Sequence, residues 1–241
     1  MSSSTSRRAL ITGASSGIGQ ASAIAFAKAG IDVVLVSRTQ SKLDAVAQEA
    51  RSLGVDAQTC AIDLAQVEMV RSKLEALISE VGTIDILVNN AGMGYTGGLA
   101  EMPLSDWQRV LDLNLTSVFQ CIQAVLPGMR SQKRGTIINL ASIAAHQAFP
   151  DWGAYCVSKF GILALSKTLA AEERAHGIRV VTLSPGSVNT PIWDTETVQA
   201  DFDRSAMLTP DIVADAIVQA ATMNDRAVVE EMILMPNAGT F

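Results

Sequence analysis

"ALITGASSGIGQASAIAFAKAG", residues 9–30, is the stretch on which the fold turns. Residues 9–12 form a short apolar run of the kind that makes a buried strand. Three glycines follow at Gly13, Gly17 and Gly19, and then an alanine-rich run reads as a helix over 17–29. Gly13 permits a sharp turn out of the strand, Gly17 lets the backbone approach a pyrophosphate, and Gly19 lets the helix lie close to the sheet. The helix start offers unpaired N–H groups and a positive dipole end, and Ser15 and Ser16 add hydroxyls. A glycine and serine turn also occurs with no ligand. A strand before it and a helix after it point to a nucleotide phosphate.

Outward from this unit the pattern repeats. Strand-like runs fall at 32–37, 56–62, 84–89, 136–141, 179–184 and 228–235, with helical stretches at 41–53, 66–81, 105–130, 152–176 and 210–223. Runs such as "DVVLV", "TIINLA" and "RVVTL" are apolar throughout, as in strands covered on both faces of a parallel sheet. Strands alternating with helices predict βαβ units with right-handed crossovers. No linker, repeat or low-complexity tract divides the chain, so a single domain over 1–241 is expected, with residues 1–6 frayed.

The bulk numbers agree with such a domain. The chain has 241 residues, 49% hydrophobic and 17% charged, with a net charge of −6. That is enough to build a large core, and it is not a disordered composition. Lys and Arg are not clustered, so no nucleic-acid partner is expected. Cys60, Cys121 and Cys156 form no CxxC pair, which fits thiols packed as small apolar groups in a reducing compartment. His146 and His176 lack metal-ligand spacing, and no metal is expected. The Arg7–Arg8 pair is not followed by the apolar run of an export signal, and no apolar segment reaches the length of a membrane span. A cytoplasmic protein with no membrane partner is the expectation.

In open α/β sheets ligands bind beyond the carboxyl ends of the strands. Small and polar residues gather there. The second strand ends in Ser37 and Arg38, with Lys42 a turn later and no carboxylate to grip a 2′-hydroxyl, so a 2′-phosphate and NADP(H) are favoured over NAD(H). Asp63 after the third strand suits a helix cap and a place near an adenine. Asn89, Asn90, Ala91 and Gly92 follow the fourth strand, Ser142 the fifth, and Pro185, Gly186 and Thr190 the sixth. Tyr155 and Lys159 stand four apart on a helix and therefore share a face.

The ordered series "TGASSGIG", "NNAG", Asn114 in "LDLNLTSVF", Ser142, "YCVSK" and "SPGSVNT" resembles that of the short-chain dehydrogenases/reductases over essentially the whole chain. The resemblance implies a Rossmann-type, doubly wound, seven-stranded parallel sheet of order 3-2-1-4-5-6-7 with helices on both faces. It makes Tyr155 the general acid/base and Lys159 its activator and a ribose ligand. Ser142 would position the substrate oxygen, and Asn114 would hold a water linking Lys159 to solvent. Gly13, Ser15, Ser16, Gly17, Ile18 and Gly19 would serve the phosphates, with Asp63 and Leu64 toward the adenosine. Asn90, Ala91 and Gly92 would line the ribose and nicotinamide side, and Pro185, Gly186, Val188 and Thr190 the nicotinamide amide. Ser16 stands where many NADP-type members carry a basic residue, which leaves Ser37 and Arg38 to mark the phosphate. The ending "EMILMPNAGTF" lacks the "DGG" of many members and looks like that of small carbonyl and hydroxy-acid dehydrogenases.

A free phenol titrates at about 10, and a fixed ammonium one turn away, with an oxidised nicotinamide, would favour the phenolate. The expected activity is hydride exchange between NADPH and a carbonyl or secondary alcohol, with Tyr155 moving the proton and Ser142 holding the oxygen. Two alternatives are a 3-oxoacyl-ACP or CoA reductase and a non-catalytic NADP(H)-binding sensor or scaffold. The intact set Asn114, Ser142, Tyr155 and Lys159 speaks against the second. Residues 191–208, with Ile192, Trp193, Phe202 and Met207, read as a substrate lid, and Met93, Tyr95 and Trp152 as pocket wall. His146 reads as a surface residue and Cys156 as packing. The long apolar helices would pair subunits into homodimers or homotetramers, as in the family.

Overall fold

The computed structural model describes residues 6–200 and 203–239. Its strands are β1 (Arg8–Thr12), β2 (Asp32–Ser37), β3 (Ala57–Ala61), β4 (Ile86–Asn89), β5 (Gly135–Leu140), β6 (Ile178–Pro185) and β7 (Glu231–Leu234). The α-helices are α1 (Gly17–Lys28), α2 (Gln40–Ser52), α3 (Val67–Val81), α4 (Leu104–Leu111), α5 (Ser117–Gln132), α6 (Gly153–Glu173) and α7 (Pro210–Thr222). All seven strands run parallel in the order β3-β2-β1-β4-β5-β6-β7, the expected doubly wound arrangement. The order reverses between β1 and β4, where the loops diverge and leave a crevice.

The apolar runs explain the two layers. Along β1, Ala9 and Ile11 face one core and Leu10 the other; along β2, Val33 and Leu35 oppose Val34 and Val36. The first core takes Phe26 of α1, Leu43 of α2 and Ile217 of α7; the second takes Leu74 of α3, Ile122 of α5 and Ile162 of α6. Strand periodicity of two sends alternate residues to opposite faces, so a parallel strand with helices on both sides must be apolar at every position.

The edges depart from the expected bounds. β7 covers four residues where eight were expected, and it alternates half-buried with exposed positions. β3 at the opposite edge is similarly open, and Cys60 on it is half-buried, while Cys121 and Cys156 are buried. An edge strand has one neighbour and loses definition first. Residues 1–5, most of the expected frayed terminus, lie outside the described residues, as does Phe202.

The expected helix over 105–130 is a continuous helical run, Leu104–Gln132, interrupted by a π-helical turn at Asp112–Thr116. Contrary to the sequence expectation, this run is long and apolar enough to cross a membrane. Its inner face explains the composition, since Val118, Cys121, Ile122, Val125 and Met129 pack into the second core. A π turn inserts one residue into the helix and often marks a functional position, and here it carries Asn114.

Candidate active site

The glycine turn is held by the loop beyond β4. Thr12 Oγ1 accepts from the N–H of Asn90 at 3.0 Å and of Ala91 at 3.1 Å, and Asn90 Nδ2 donates to Thr12 O at 2.9 Å. This leaves no room for a side chain at Gly13 or Gly19. A Cβ on Gly19 would lie 2.3 Å from Gly13 O and 2.6 Å from Asn90 Nδ2. Gly13 also sits at φ +66 and Gly17 at φ +54, a backbone region that glycine enters freely. Ser16 precedes α1 without capping it, and the first turn of α1 carries no acidic residue. The first N–H groups of α1 are thereby left to an anion, as phosphate sites at helix starts require.

Two further loops extend the crevice. Ser37, Arg38, Thr39 and Lys42 line it beyond β2, and neither Arg38 nor Lys42 has an ion-pair partner among the described residues. Ile62, Asp63 and Leu64 line it beyond β3. Asp63 does not cap α3: its Oδ1 accepts from Ala65 N–H at 3.1 Å, and α3 begins at Val67. The donor-rich turn and free cations fit a nicotinamide dinucleotide bearing a 2′-phosphate.

At the other end stand Ser142, Tyr155 and Lys159. Ser142 leaves β5 in extended backbone, and its Oγ accepts from Ala144 N–H at 3.1 Å. Lys159 is buried, and its Nζ donates to Leu140 O at 2.8 Å, which ties α6 to the end of β5. The same Nζ lies 5.6 Å from the centre of the half-buried Tyr155 ring. Burial lowers Lys159 from 10.5 to about 8. Burial also raises the Tyr155 phenol above its usual value, against a lowering from its hydrogen bond with Ser142. Within the chain alone burial is the larger effect on the phenol; the expected pull toward phenolate also counts an oxidised nicotinamide. The ammonium is spent on a backbone carbonyl, and desolvation of the phenolate dominates.

Asn114 stands behind the cleft, not in its wall. It is 1% exposed; its Oδ1 accepts from Met93 N–H at 2.9 Å, and its Nδ2 donates to Met93 O at 2.9 Å and Ser158 Oγ at 3.1 Å. Ser158 in turn donates to Tyr155 O at 2.7 Å. Ser158 escaped the sequence reading, and so did Asn139. Asn139 accepts from Asn89 Nδ2 at 2.9 Å and donates to Ser166 Oγ at 2.9 Å beneath the site. Only their spacing from the Tyr155 and "NNAG" motifs marks them in the sequence.

Of the residues the sequence singled out, Gly13, Ser15, Ser16, Gly17, Ile18, Ser37, Arg38, Asp63, Leu64, Asn90, Ala91, Gly92, Ser142, Tyr155, Lys159, Pro185, Gly186, Val188 and Thr190 line one cleft of about 880 Å³. Gly19 and Asn114 support it from behind. Met93, Trp152, Ile192 and Trp193 join the wall, but Tyr95 does not, because its hydroxyl donates to Asp106 Oδ2 at 2.9 Å. His146 points away, with Nε2 3.0 Å from Ser184 Oγ and 3.5 Å from Glu231 Oε1. Among the described residues no group of three or more His, Cys, Asp or Glu side chains is placed to hold a metal ion.

A glycine turn over an α1 start, an aligned Ser142, Tyr155 and Lys159, and this strand order together define a dinucleotide-dependent oxidoreductase fold. The chain belongs to the short chain dehydrogenase family, whose model matches residues 7–201. It is 36% identical to a sepiapterin reductase of Chlorobaculum tepidum, over 95% of this chain and 96% of that protein. It is 38% identical to a 3-oxoacyl-[acyl-carrier-protein] reductase of Synechocystis, over 83% of this chain and 81% of that protein. A metagenomic short-chain oxidoreductase solved in complex with NADP superposes with a TM-score of 0.84 at 33% identity, covering 96% of this chain and 97% of that one.

Proposed function

We propose that the protein is an NADP(H)-dependent reductase that interconverts a small carbonyl compound and its secondary alcohol. One observation carries the proposal. Ser142, Tyr155 and Lys159 converge at one end of a cleft whose other end holds a phosphate cradle and two cations, Arg38 and Lys42, that have no ion-pair partner among the described residues. When bound, the nicotinamide supplies hydride exchange at the carbonyl carbon.

The remaining steps belong to the chain. The raised Tyr155 phenol keeps its proton at neutral pH, as a donor to a carbonyl oxygen must. Ser142 holds that oxygen and steadies the charge that develops on it. Lys159, protonated below about pH 8, fixes the ribose and places a positive charge near the phenol. Asn114 anchors α6 through Ser158 and, on this reading, keeps a water on the proton path from Lys159 to solvent. Arg38 and Ser37 take the 2′-phosphate, which favours NADP(H), the cofactor in the metagenomic relative. Residues 191–208 serve as the substrate lid. The exposed Phe119 of α5 and Val157 and Phe160 of α6 give an apolar face suited to pairing subunits.

The Synechocystis relative brings in a second reading, reduction of a 3-oxoacyl thioester. Glu196 on the cleft wall opposes the phosphates of a carrier arm and weighs against it, while Asp194 beside it is paired with Arg204. The convergence of three reactive groups weighs against a sensor or scaffold without turnover. The test is NADPH oxidation by purified protein over ketones, aldehydes, 3-oxo esters and 3-oxo thioesters, with NADH in parallel. Tyr155→Phe should lose at least about a hundredfold in kcat. Equal activity in that variant would sink the mechanism.

A further inference from the structure

We infer that the substrate end of the cleft takes a compact, uncharged aromatic carbonyl compound, an inference that rests on the reductase reading above and names its substrate class. Trp152 lies three residues before Tyr155. Its ring meets the Tyr155 ring with centroids 5.4 Å apart at 69°, and meets the Trp193 ring at 5.9 Å and 71°. Both tryptophans line the cleft. A carbonyl within reach of the Tyr155 hydroxyl thus presents its substituent to two indoles. Rings set near right angles are the geometry in which a further aromatic ring gains edge-to-face or offset contact.

The wall beside the tryptophans is closed. A Cβ on Gly94 would lie 2.7 Å from Val198 Cγ2 and 3.4 Å from Trp152, so the missing side chain makes room for a residue of the 191–208 connection. The seam is bonded by Thr96 N–H to Thr197 O and by Thr197 Oγ1 to Gly94 O, each at 2.8 Å. A closed seam favours compact groups over extended chains. The same connection puts Asp194 and Glu196 on the wall, and its Arg204 pairs with Asp194 at 2.7 Å, which leaves Glu196 as the carboxylate there without an ion-pair partner among the described residues. Arg109 lines the cleft from α4, outside this connection. An anionic substituent beside Trp193 would therefore meet Glu196, with Arg204 of that segment already held by Asp194.

The test compares phenylacetone with cyclohexylacetone, which share a carbonyl and a shape and differ in the ring. It adds phenylacetone bearing a para carboxylate and the same compound as its primary amide. NADPH affinity is measured separately by fluorescence titration. We expect kcat/KM for phenylacetone to exceed that for cyclohexylacetone by about fivefold or more. Trp152→Leu should bring the ratio near one with NADPH affinity unchanged, and Trp193→Leu provides the same comparison if the first variant does not fold. The amide should be reduced several-fold faster than the carboxylate. Equal rates for the phenyl and cyclohexyl ketones, preference for the carboxylate, or bound NADPH with no turnover of any of the four overturns the aromatic assignment alone. Failure to bind NADPH overturns the reductase reading beneath it.

Discussion

Lys159→Met should stabilise the protein while it abolishes turnover. Burial lowers the ammonium from 10.5 to about 8, which corresponds to about 3 kcal/mol of preference for the neutral form. At pH 7 the group is still charged, so the folded chain bears that penalty. Methionine keeps most of the stem's packing and removes the charge. It also gives up the charged bond to Leu140 O, a loss of about 1.5 kcal/mol at the lower end for such bonds. The net expectation is a gain of about 1.5 kcal/mol at pH 7, or a Tm about 3–6 °C higher for a chain of this length. The sign of the pH dependence follows from linkage. The folded value lies below the unfolded value of about 10.4, so between about pH 8 and pH 10.4 the unfolded chain binds more protons and wild-type stability rises with pH. The advantage of the variant should therefore shrink across that window. Urea unfolding followed by tryptophan fluorescence at pH 7 and pH 10, at one protein concentration, reads both. A variant less stable than wild type at pH 7, or a difference that is the same at both pH values, would refute the reasoning.

Three further outcomes are expected. Arg38→Asp should raise the Kd for NADPH about a hundredfold and leave NADH binding equal or tighter, read by fluorescence titration; equal losses for both cofactors would deny Arg38 a role at the 2′-phosphate. Gly19→Ala should lower the melting temperature and abolish NADPH binding, since its Cβ would fall 2.3 Å from Gly13 O, a backbone atom that cannot move without opening the turn; an unchanged melt and affinity would contradict this. Glu173, 1% exposed and paired with Arg130, has its carboxyl held below the usual range by that guanidinium. Its contribution is full above the unfolded value of about 4.3 and is lost as pH falls through the lower folded value. Thermal melts should thus show wild type losing stability on acidification more steeply than Glu173→Gln, and parallel acid profiles would remove Glu173 from the account.

Most of the site was legible because its signals are local. The turn at Gly13, Gly17 and Gly19 is set by backbone freedom and close approach, which a glycine declares in one dimension. Tyr155 and Lys159 share a face by helical spacing alone. The apolar runs of β1, β2, β5 and β6 announce burial on both faces, and βαβ alternation with right-handed crossovers leaves few topologies. The edge strands were legible only in part, because β3 and β7 each lack a second neighbour to impose order.

What the chain determines by itself is thus the layered parallel sheet, the phosphate turn and the identity of the residues along the cleft. Partners separated by long stretches of chain were decided only in the folded molecule. Asn114 faces Met93 and Ser158, not solvent, because a π turn rotates the helix at that point. Asn89 meets Asn139 because the β4–β5 register aligns them. Tyr95 leaves the pocket for Asp106, and Trp152 gathers Tyr155 and Trp193 about itself. The protonation balance belongs to the same group. Desolvation depends on how much of the chain closes over Tyr155 and Lys159, and no spacing of residues along a sequence encodes that amount.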